Sequence, residues 1–429
     1  MVEGYEQICY SVAAQRLIDF VPAPEPGGTR ARGTATRSWS RQARSRRAPV
    51  RERLTKDLMY IGIDSHSAEH EGEGNATYSR NLIAAVFATE GPEAFALFAA
   101  DPDHPFYRSL PPRRGSRVFR VAQGRGLARL GWTLARAATR RRVDGLHVQH
   151  WAPLAYGGPL VVTVPDLAFL HLPETFPAAL RLALRVLVPR SIAKASRVIT
   201  LSEFSRGDRV TSYGVRPDKV TVIPLGAGAS FRPLESARTE GVLARYGLRP
   251  GFLFSLGRLN WRKNLERILL AYGRLRASGV SDAPLVIGGK QDYGGEEALR
   301  RMRLSEFGSS VRWIGLIPDE DLPAFYNAAA CFVYPSLFEG FGLPVLEAMA
   351  CGTPVVTSDR AALPELVGDA AMVVDPESVE ALAEAMTRVL TDATLAADLG
   401  RRGLERSRRF SWRETARRTL EVYREAVGR

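Results

Sequence analysis

Short apolar runs alternate with longer amphipathic stretches from residue 59 to the end of the chain. Met59-Tyr-Ile-Gly-Ile-Asp64, Gly145-Leu-His147-Val-Gln149-His150, Pro159 to Val164, Arg197 to Thr200 and Val220 to Pro224 read as strands. The second half keeps the rhythm, with strands near 252–256, 284–288, 311–314, 331–335, 353–358 and 371–374. Strands that alternate with helical stretches of this kind imply parallel β-α-β units. The expected fold is therefore α/β: two Rossmann-like, doubly wound domains facing across a cleft, with ligands at the carboxyl ends of the strands. Phe231-Arg-Pro233 suits the hinge, giving a first domain over 57–232 and a second over 233–408. A last helix from Trp412 to Ala426 keeps an apolar face of Leu420, Val422, Tyr423 and Ala426.

Residues 1–56 break this pattern. Pro22 to Gly28 is turn-rich, and Arg30 to Arg53 holds nine arginines with little apolar periodicity. Such a segment cannot offset its ordering entropy and reads as a disordered basic leader. The remainder, in a chain of 429 residues that is 45% hydrophobic, is long enough to bury two cores. The net charge of +13 calls for partners with negative charge. Much of it lies between Arg108 and Arg142, where eleven arginines surround Leu127, Leu130, Trp132 and Leu134. Those four apolar residues read as a partly amphipathic helix with a basic face, either solvated or resting on an anionic membrane surface. No aromatic-basic reader module accompanies the charge, which argues against a nucleic-acid partner.

Cys9, Cys331 and Cys351 lack metal-ligand spacing and favour reduced thiols. His66 and His70 fall in a loop rather than on a helix, so no metal is expected there. No apolar run approaches the roughly 18 residues of a membrane span. The expected location is cytoplasmic, or peripheral at the inner face of a membrane.

The chemistry gathers in two places. Tyr334-Pro-Ser-Leu-Phe-Glu339-Gly-Phe-Gly-Leu-Pro344-Val-Leu-Glu347 runs from a strand through a glycine loop into a helix opened by Pro344. Gly340 and Gly342 let the backbone approach a ligand closely. The free N–H groups of the new helix form a seat for an anion. Glu339 precedes that helix and Glu347 lies one turn inside it. The second place is Gly257-Arg258-Leu-Asn-Trp-Arg262-Lys263-Asn264, where a strand ends in a loop with three cations. A diphosphate needs such charge, and arginine grips it with two N–H groups. Arg262 reads as a solvated neighbour.

With the following Ala-Met-Ala-Cys-Gly352-Thr-Pro354, the Glu-x7-Glu run resembles the retaining glycosyltransferases of family 4 over about residues 59 to 429. The resemblance implies the GT-B fold, a nucleoside-diphosphate-sugar donor, no cofactor or metal, and a glycan or lipid-linked acceptor. It places Glu347 on the donor ribose, and Glu339 with Phe341, Gly342 and Gly340 at the donor sugar. Arg258 and Lys263 would grip the diphosphate and neutralise it as it leaves; Lys290 would lie near base or phosphate. Gly74 and Asn75, in a glycine-rich loop, would face the cleft, with Asp166 and His150 on the acceptor side. The first domain would serve the acceptor and the second the donor, with residues 409–429 crossing back onto the first. The Gly74-Asn75-Ala-Thr77-Tyr78 loop leans the donor toward mannose.

One position departs from the family pattern. Where relatives carry His-Asp, this chain has Pro165-Asp166, losing an imidazole and an N–H. Transfer without that histidine, a donor lacking the 6-hydroxyl such as a 6-deoxy sugar, and a degenerate nucleotide-sugar binder acting as regulator or scaffold are the three readings. A sugar-nucleotide epimerase is disfavoured by the Glu-x7-Glu context. Ser202-Glu203-Phe204 opens a helix whose N-terminus either faces the cleft or is simply capped by Ser202.

Overall fold

The computed structural model describes residues 58–72, 74–121, 129–293, 300 and 310–428. The basic leader and Leu127 lie outside the described residues. Seven parallel strands form the first sheet: β1 (Tyr60–Asp64), β2 (Ala94–Ala99), β3 (Arg117–Arg120), β4 (Gly145–Gln149), β5 (Leu160–Thr163), β6 (Arg197–Thr200) and β7 (Val220–Val222). Six form the second: β8 (Phe252–Leu256), β9 (Leu285–Gly288), β10 (Val311–Gly315), β11 (Ala329–Tyr334), β12 (Val355–Ser358) and β13 (Met372–Val374). The orders are β3-β2-β1-β4-β5-β6-β7 and β10-β9-β8-β11-β12-β13. Each order reverses beside its first strand, between β1 and β4 and between β8 and β11. Those two switch points open crevices at the strand carboxyl ends.

Most of these strands are buried on both faces, as their continuous apolar sequences require. β2, Ala-Phe-Ala-Leu-Phe-Ala, is buried throughout. The basic stretch from Arg108 to Arg142 is helical in its last part, where Leu130, Trp132 and Leu134 fall. It holds the edge strand β3, whose Arg117 and Arg120 are exposed, then a π-helical turn (Arg129–Thr133) and a helix (Leu134–Arg141). Edge strands tolerate charge because one flank faces water.

The helix Trp412–Val427, capped by the Ser411 hydroxyl, lies against the Gly74–Ala88 helix of the first domain. Its Tyr423 hydroxyl is 2.7 Å from His147 Nδ1, whose Nε2 is 2.8 Å from the Thr163 hydroxyl. Tyr78 completes this buried network, 2.9 Å from Thr163. Arg424 Nε donates to Glu93 at 2.9 Å, and the Thr415 hydroxyl to the Pro224 carbonyl at 2.7 Å. Burial pushes His147 down to about 4, so it is neutral and structural, with both nitrogens engaged.

Candidate functional site

Between the two sheets lies a cleft of about 1650 Å³. Its lining brings together all twelve residues singled out above: Gly74, Asn75, His150 and Asp166 from the first domain, and Arg258, Lys263, Lys290, Glu339, Gly340, Phe341, Gly342 and Glu347 from the second. They converge because the β8 and β11 ends are neighbours, so the loops after these two strands share one crevice.

Those two loops are laced together. The Asn264 amide, on a residue with φ of 60°, donates to the carbonyls of Pro335 (3.1 Å) and Pro376 (2.7 Å). The Arg262 carbonyl accepts from Leu337 N at 2.9 Å and the Ser336 hydroxyl at 3.0 Å. Glu339 sits in the middle and is 8% exposed. Its Oε1 accepts from Lys263 Nζ and the Ser336 hydroxyl, each at 2.6 Å, and from the Tyr334 hydroxyl at 3.1 Å. Its Oε2 lies 2.9 Å from the Arg262 guanidinium. Burial by itself would raise the Glu339 pKa; Arg262, then Lys263, outweigh it and bring the carboxyl to about 2. Lys263 is pulled the other way, to about 8, because burial exceeds the attraction of Glu339. The pair therefore remains ionised at neutral pH.

Arg262 is thus not a solvated neighbour. It also donates to the Phe338 carbonyl at 2.7 Å, and although burial works against its charge, Glu339 holds its pKa above the ordinary value. Arg258 is more open, 3.3 Å from Asp292, which also accepts from Asn260 at 3.2 Å. Lys290 reaches across the cleft and donates to the Glu71 carbonyl at 2.6 Å.

Gly342, at φ 103°, precedes the Leu343–Ala350 helix. A side chain there would be strained, and its Cβ would lie 2.7 Å from Leu363. Glu347, one turn in, is buried and pairs with no cation among the described residues; it accepts from the Tyr326 hydroxyl at 3.0 Å. Burial raises it to about 8. Phe341 packs edge-on against Phe410, centroids 5.9 Å apart. The helix N-terminus, Lys263, Arg258 and Lys290 leave this end of the cleft positive.

The facing wall belongs to the first domain. Gly340 needs to be glycine because Pro165 is there: an added Cβ would stand 2.5 Å from the Pro165 carbonyl oxygen. The close approach at Gly340 is thus to the opposite domain. Ser202 caps its helix (Ser205 N to Oγ, 3.1 Å) and donates to the Gly340 carbonyl at 2.8 Å. The N-terminus of that helix receives the Glu365 carboxylate, from Glu203 N at 2.9 Å and Phe204 N at 3.1 Å. His171 stacks on Phe338, centroids 5.0 Å apart.

Behind the Pro165–Asp166 loop, the fully buried Arg209 donates to the carbonyls of Val164 and Ser205. Burial lowers it to about 10, with Asp166 and Asp208 opposing. His150, at φ 59°, lies 3.4 Å from the Asn75 side chain. Its pKa falls below the ordinary value, chiefly through burial. Among the described residues, its own chain neighbours and helix backbone aside, nothing lies within 4 Å of a Cβ built on Gly74.

Sequence reasoning missed Arg262, Arg209 and Glu365. Local spacing signals none of them, since each acts on a partner distant in sequence. Among the described residues no cluster of histidine, cysteine or acidic side chains is arranged to hold a metal.

Comparison with known proteins bears on this geometry. A model of glycosyl transferases group 1 matches residues 247–406, and one of glycosyltransferase family 4 matches residues 81–229. The chain is 35% identical over 268 residues to O-antigen chain mannosyltransferase B of Escherichia coli, covering 62% of this chain and 70% of that one. Sucrose-phosphate synthase from Thermosynechococcus elongatus superposes with a TM-score of 0.69 at 22% identity, over 86% of this chain and 99% of that one. Anabaena HepE, solved in complex with UDP-glucose, gives 0.65 at 20% identity, over 85% and 99%. These solved structures share the fold.

Proposed function

Because this chain belongs to the group 1 and family 4 glycosyltransferases, with the GT-B fold, we propose that it transfers mannose from a nucleoside-diphosphate donor to a glycan or lipid-linked acceptor with retention of configuration. The observation that carries the reading is the buried Glu339 ionised between Arg262 and Lys263, at the mouth of a helix N-terminus. The Glu339 carboxylate fixes Arg262 and Lys263 in place, and Arg258, Lys290 and the helix N-terminus beside them supply the further positive charge that a diphosphate needs. These charges are fixed before a donor arrives, so little reorganisation opposes the reaction. The mannosyl donor follows the Escherichia coli relative, and the nucleotide sugar follows the HepE complex.

In this reading Lys263 and Arg258 hold the diphosphate, with Lys290 at its edge. Glu347 accepts from the ribose hydroxyls and Glu339 orients the sugar beside the Phe341–Gly342 backbone. The acceptor enters along Asn75, His150 and Asp166. The bond from the anomeric carbon to the diphosphate oxygen breaks, and the acceptor oxygen bonds to the same face. The acceptor hydroxyl proton passes to the departing diphosphate. Pro165 is compatible with this route, because no imidazole takes part in it.

The test is a calorimetric titration of GDP-, UDP- and dTDP-sugars into wild type, Lys263→Ala and Glu347→Ala. GDP-mannose should bind at micromolar Kd, and each variant should weaken it about 10- to 100-fold, the value of one charge-assisted hydrogen bond for Lys263 and of two ordinary ones to the ribose for Glu347. Binding unchanged in both variants, or no binding across the panel, removes the donor site as assigned. Binding without nucleotide release would move the chain to the scaffold reading.

A further inference from the structure

The largest fully buried side chain among the described residues is a cation, Arg209, and the proposed transfer gives it no part. It stands on the Glu203–Tyr213 helix, behind the turn that follows β5. Burial strips a guanidinium of its hydration, and bonds to neutral carbonyls recover little of that cost. Arg209 has two such bonds, to Val164 and Ser205, and its Nε has no hydrogen-bond partner among the described residues. An apolar side chain of similar length would fill the space at lower cost. Stability alone does not account for the charge.

What surrounds Arg209 is the wall of the cleft. Val164 precedes Pro165, which brings neither an N–H nor a side-chain donor to the turn. The turn is held from behind instead. Arg209 donates to the Val164 carbonyl, and the Ser205 hydroxyl to the Pro165 carbonyl at 3.2 Å. Asp166 follows, lining the cleft, with Oδ1 accepting from Ala168 N at 3.0 Å. The same helix reaches the other domain, where the Ser202 and Ser205 hydroxyls donate to the Gly340 carbonyl at 2.8 and 3.3 Å. One helix thus sets Asp166 against the loop of Glu339. The charges agree. Asp208 is taken up by His171 at 2.8 Å, while burial lowers Arg209 and Asp166 leads the acids that oppose it. On His150, which burial depresses most, Asp166 and Arg209 act in opposite senses.

We infer that Arg209 is a positioning residue for transfer: it fixes the Val164–Asp166 turn and, as a cation behind it, keeps the Asp166 carboxylate in place to orient the incoming acceptor. The inference rests on the proposed transfer for its reaction; the hold on the turn is a property of the fold.

The test is GDP release from GDP-mannose, with water as acceptor, in wild type, Arg209→Met, Arg209→Lys, Asp166→Asn and the Arg209→Met/Asp166→Asn double variant. Donor affinity is read by calorimetry and folding by thermal unfolding, with every assay run well below the lowest melting temperature. Arg209→Met should bind GDP-mannose within about threefold of wild type, yet release GDP at least about tenfold more slowly at saturation. Arg209→Lys keeps the cation and should be less impaired. Because Arg209 acts through Asp166, the double variant should be no more than about twofold slower than Asp166→Asn. If Arg209→Met does not fold, Arg209→Lys and its double variant with Asp166→Asn are read in its place. Parallel loss of donor affinity and rate makes Arg209 structural only and overturns the inference. An unchanged rate, or losses that multiply in the double variant, overturns it equally. Absence of GDP release in wild type refutes the proposed transfer, and the inference with it.

Discussion

Replacing Arg262 by methionine removes one of the two cations that hold Glu339 while keeping much of the apolar stem. Glu339 lies at about 2 against an ordinary 4.5. At ~1.4 kcal/mol per pKa unit, its neighbours favour the carboxylate by about 3 kcal/mol net of burial. With Arg262 gone, Lys263 faces that carboxylate alone, and removing one partner of a buried pair costs about 3–5 kcal/mol. For a domain of this size, such a loss lowers the melting temperature by roughly 6–20 °C. Thermal unfolding of Arg262→Met, Glu339→Gln and the double variant, at pH 7, reads the coupling. The double variant should be less destabilised than the sum of the singles by about 1 kcal/mol or more. The pH dependence has a definite sign. The folded value of Glu339 lies below its unfolded value, so its stabilisation is full above about pH 4.5 and is lost as pH falls toward 2. Glu339→Gln should remove that part of the acid sensitivity. Additivity within about 0.5 kcal/mol, with an unchanged acid limb, would refute the reasoning.

Glu347 behaves in the opposite sense. Its folded value, about 8, lies above its unfolded one, so its contribution is full below about pH 4.5 and lost as pH rises through 8. Glu347→Gln should therefore melt higher than wild type at pH 9 and close to it at pH 5; equal shifts at both pH values would contradict the assignment. Gly340→Ala places a methyl against the Pro165 carbonyl and should cost about 1–3 kcal/mol. It should also weaken donor binding by displacing the Glu339 loop. Unchanged melting and unchanged Kd would show that the two walls do not rest on each other there.

Much of the fold was legible because these strands are apolar runs bounded by glycine, proline or polar turns. Met59 to Asp64 and Phe252 to Leu256 stand out for that reason alone. β3 was hidden because an edge strand can carry arginine at both ends, and Arg-Val-Phe-Arg lacks the apolar run that marks the other strands. The geometry around the two glutamates was legible because it is built into local spacing: strand, glycine loop, proline, helix. Arg262 was not. Its importance depends on Glu339, which the adjacency of β8 and β11 brings to it, and no spacing within the loop reports that. Gly340 shows the same limit. Its need for glycine is visible in the sequence, whereas the carbonyl that imposes it belongs to the other domain. Glu365 on the N-terminus of the Glu203–Tyr213 helix is another contact that only the packed domains create.

The central claim is transfer of mannose from GDP-mannose with retention. Water can stand in for the acceptor, so proton NMR of slow donor hydrolysis tests it without knowledge of the natural one. The account predicts GDP release with α-mannose as the first-formed anomer, and loss of that release in Lys263→Ala. First appearance of β-mannose, or release no faster than in Lys263→Ala, would contradict it.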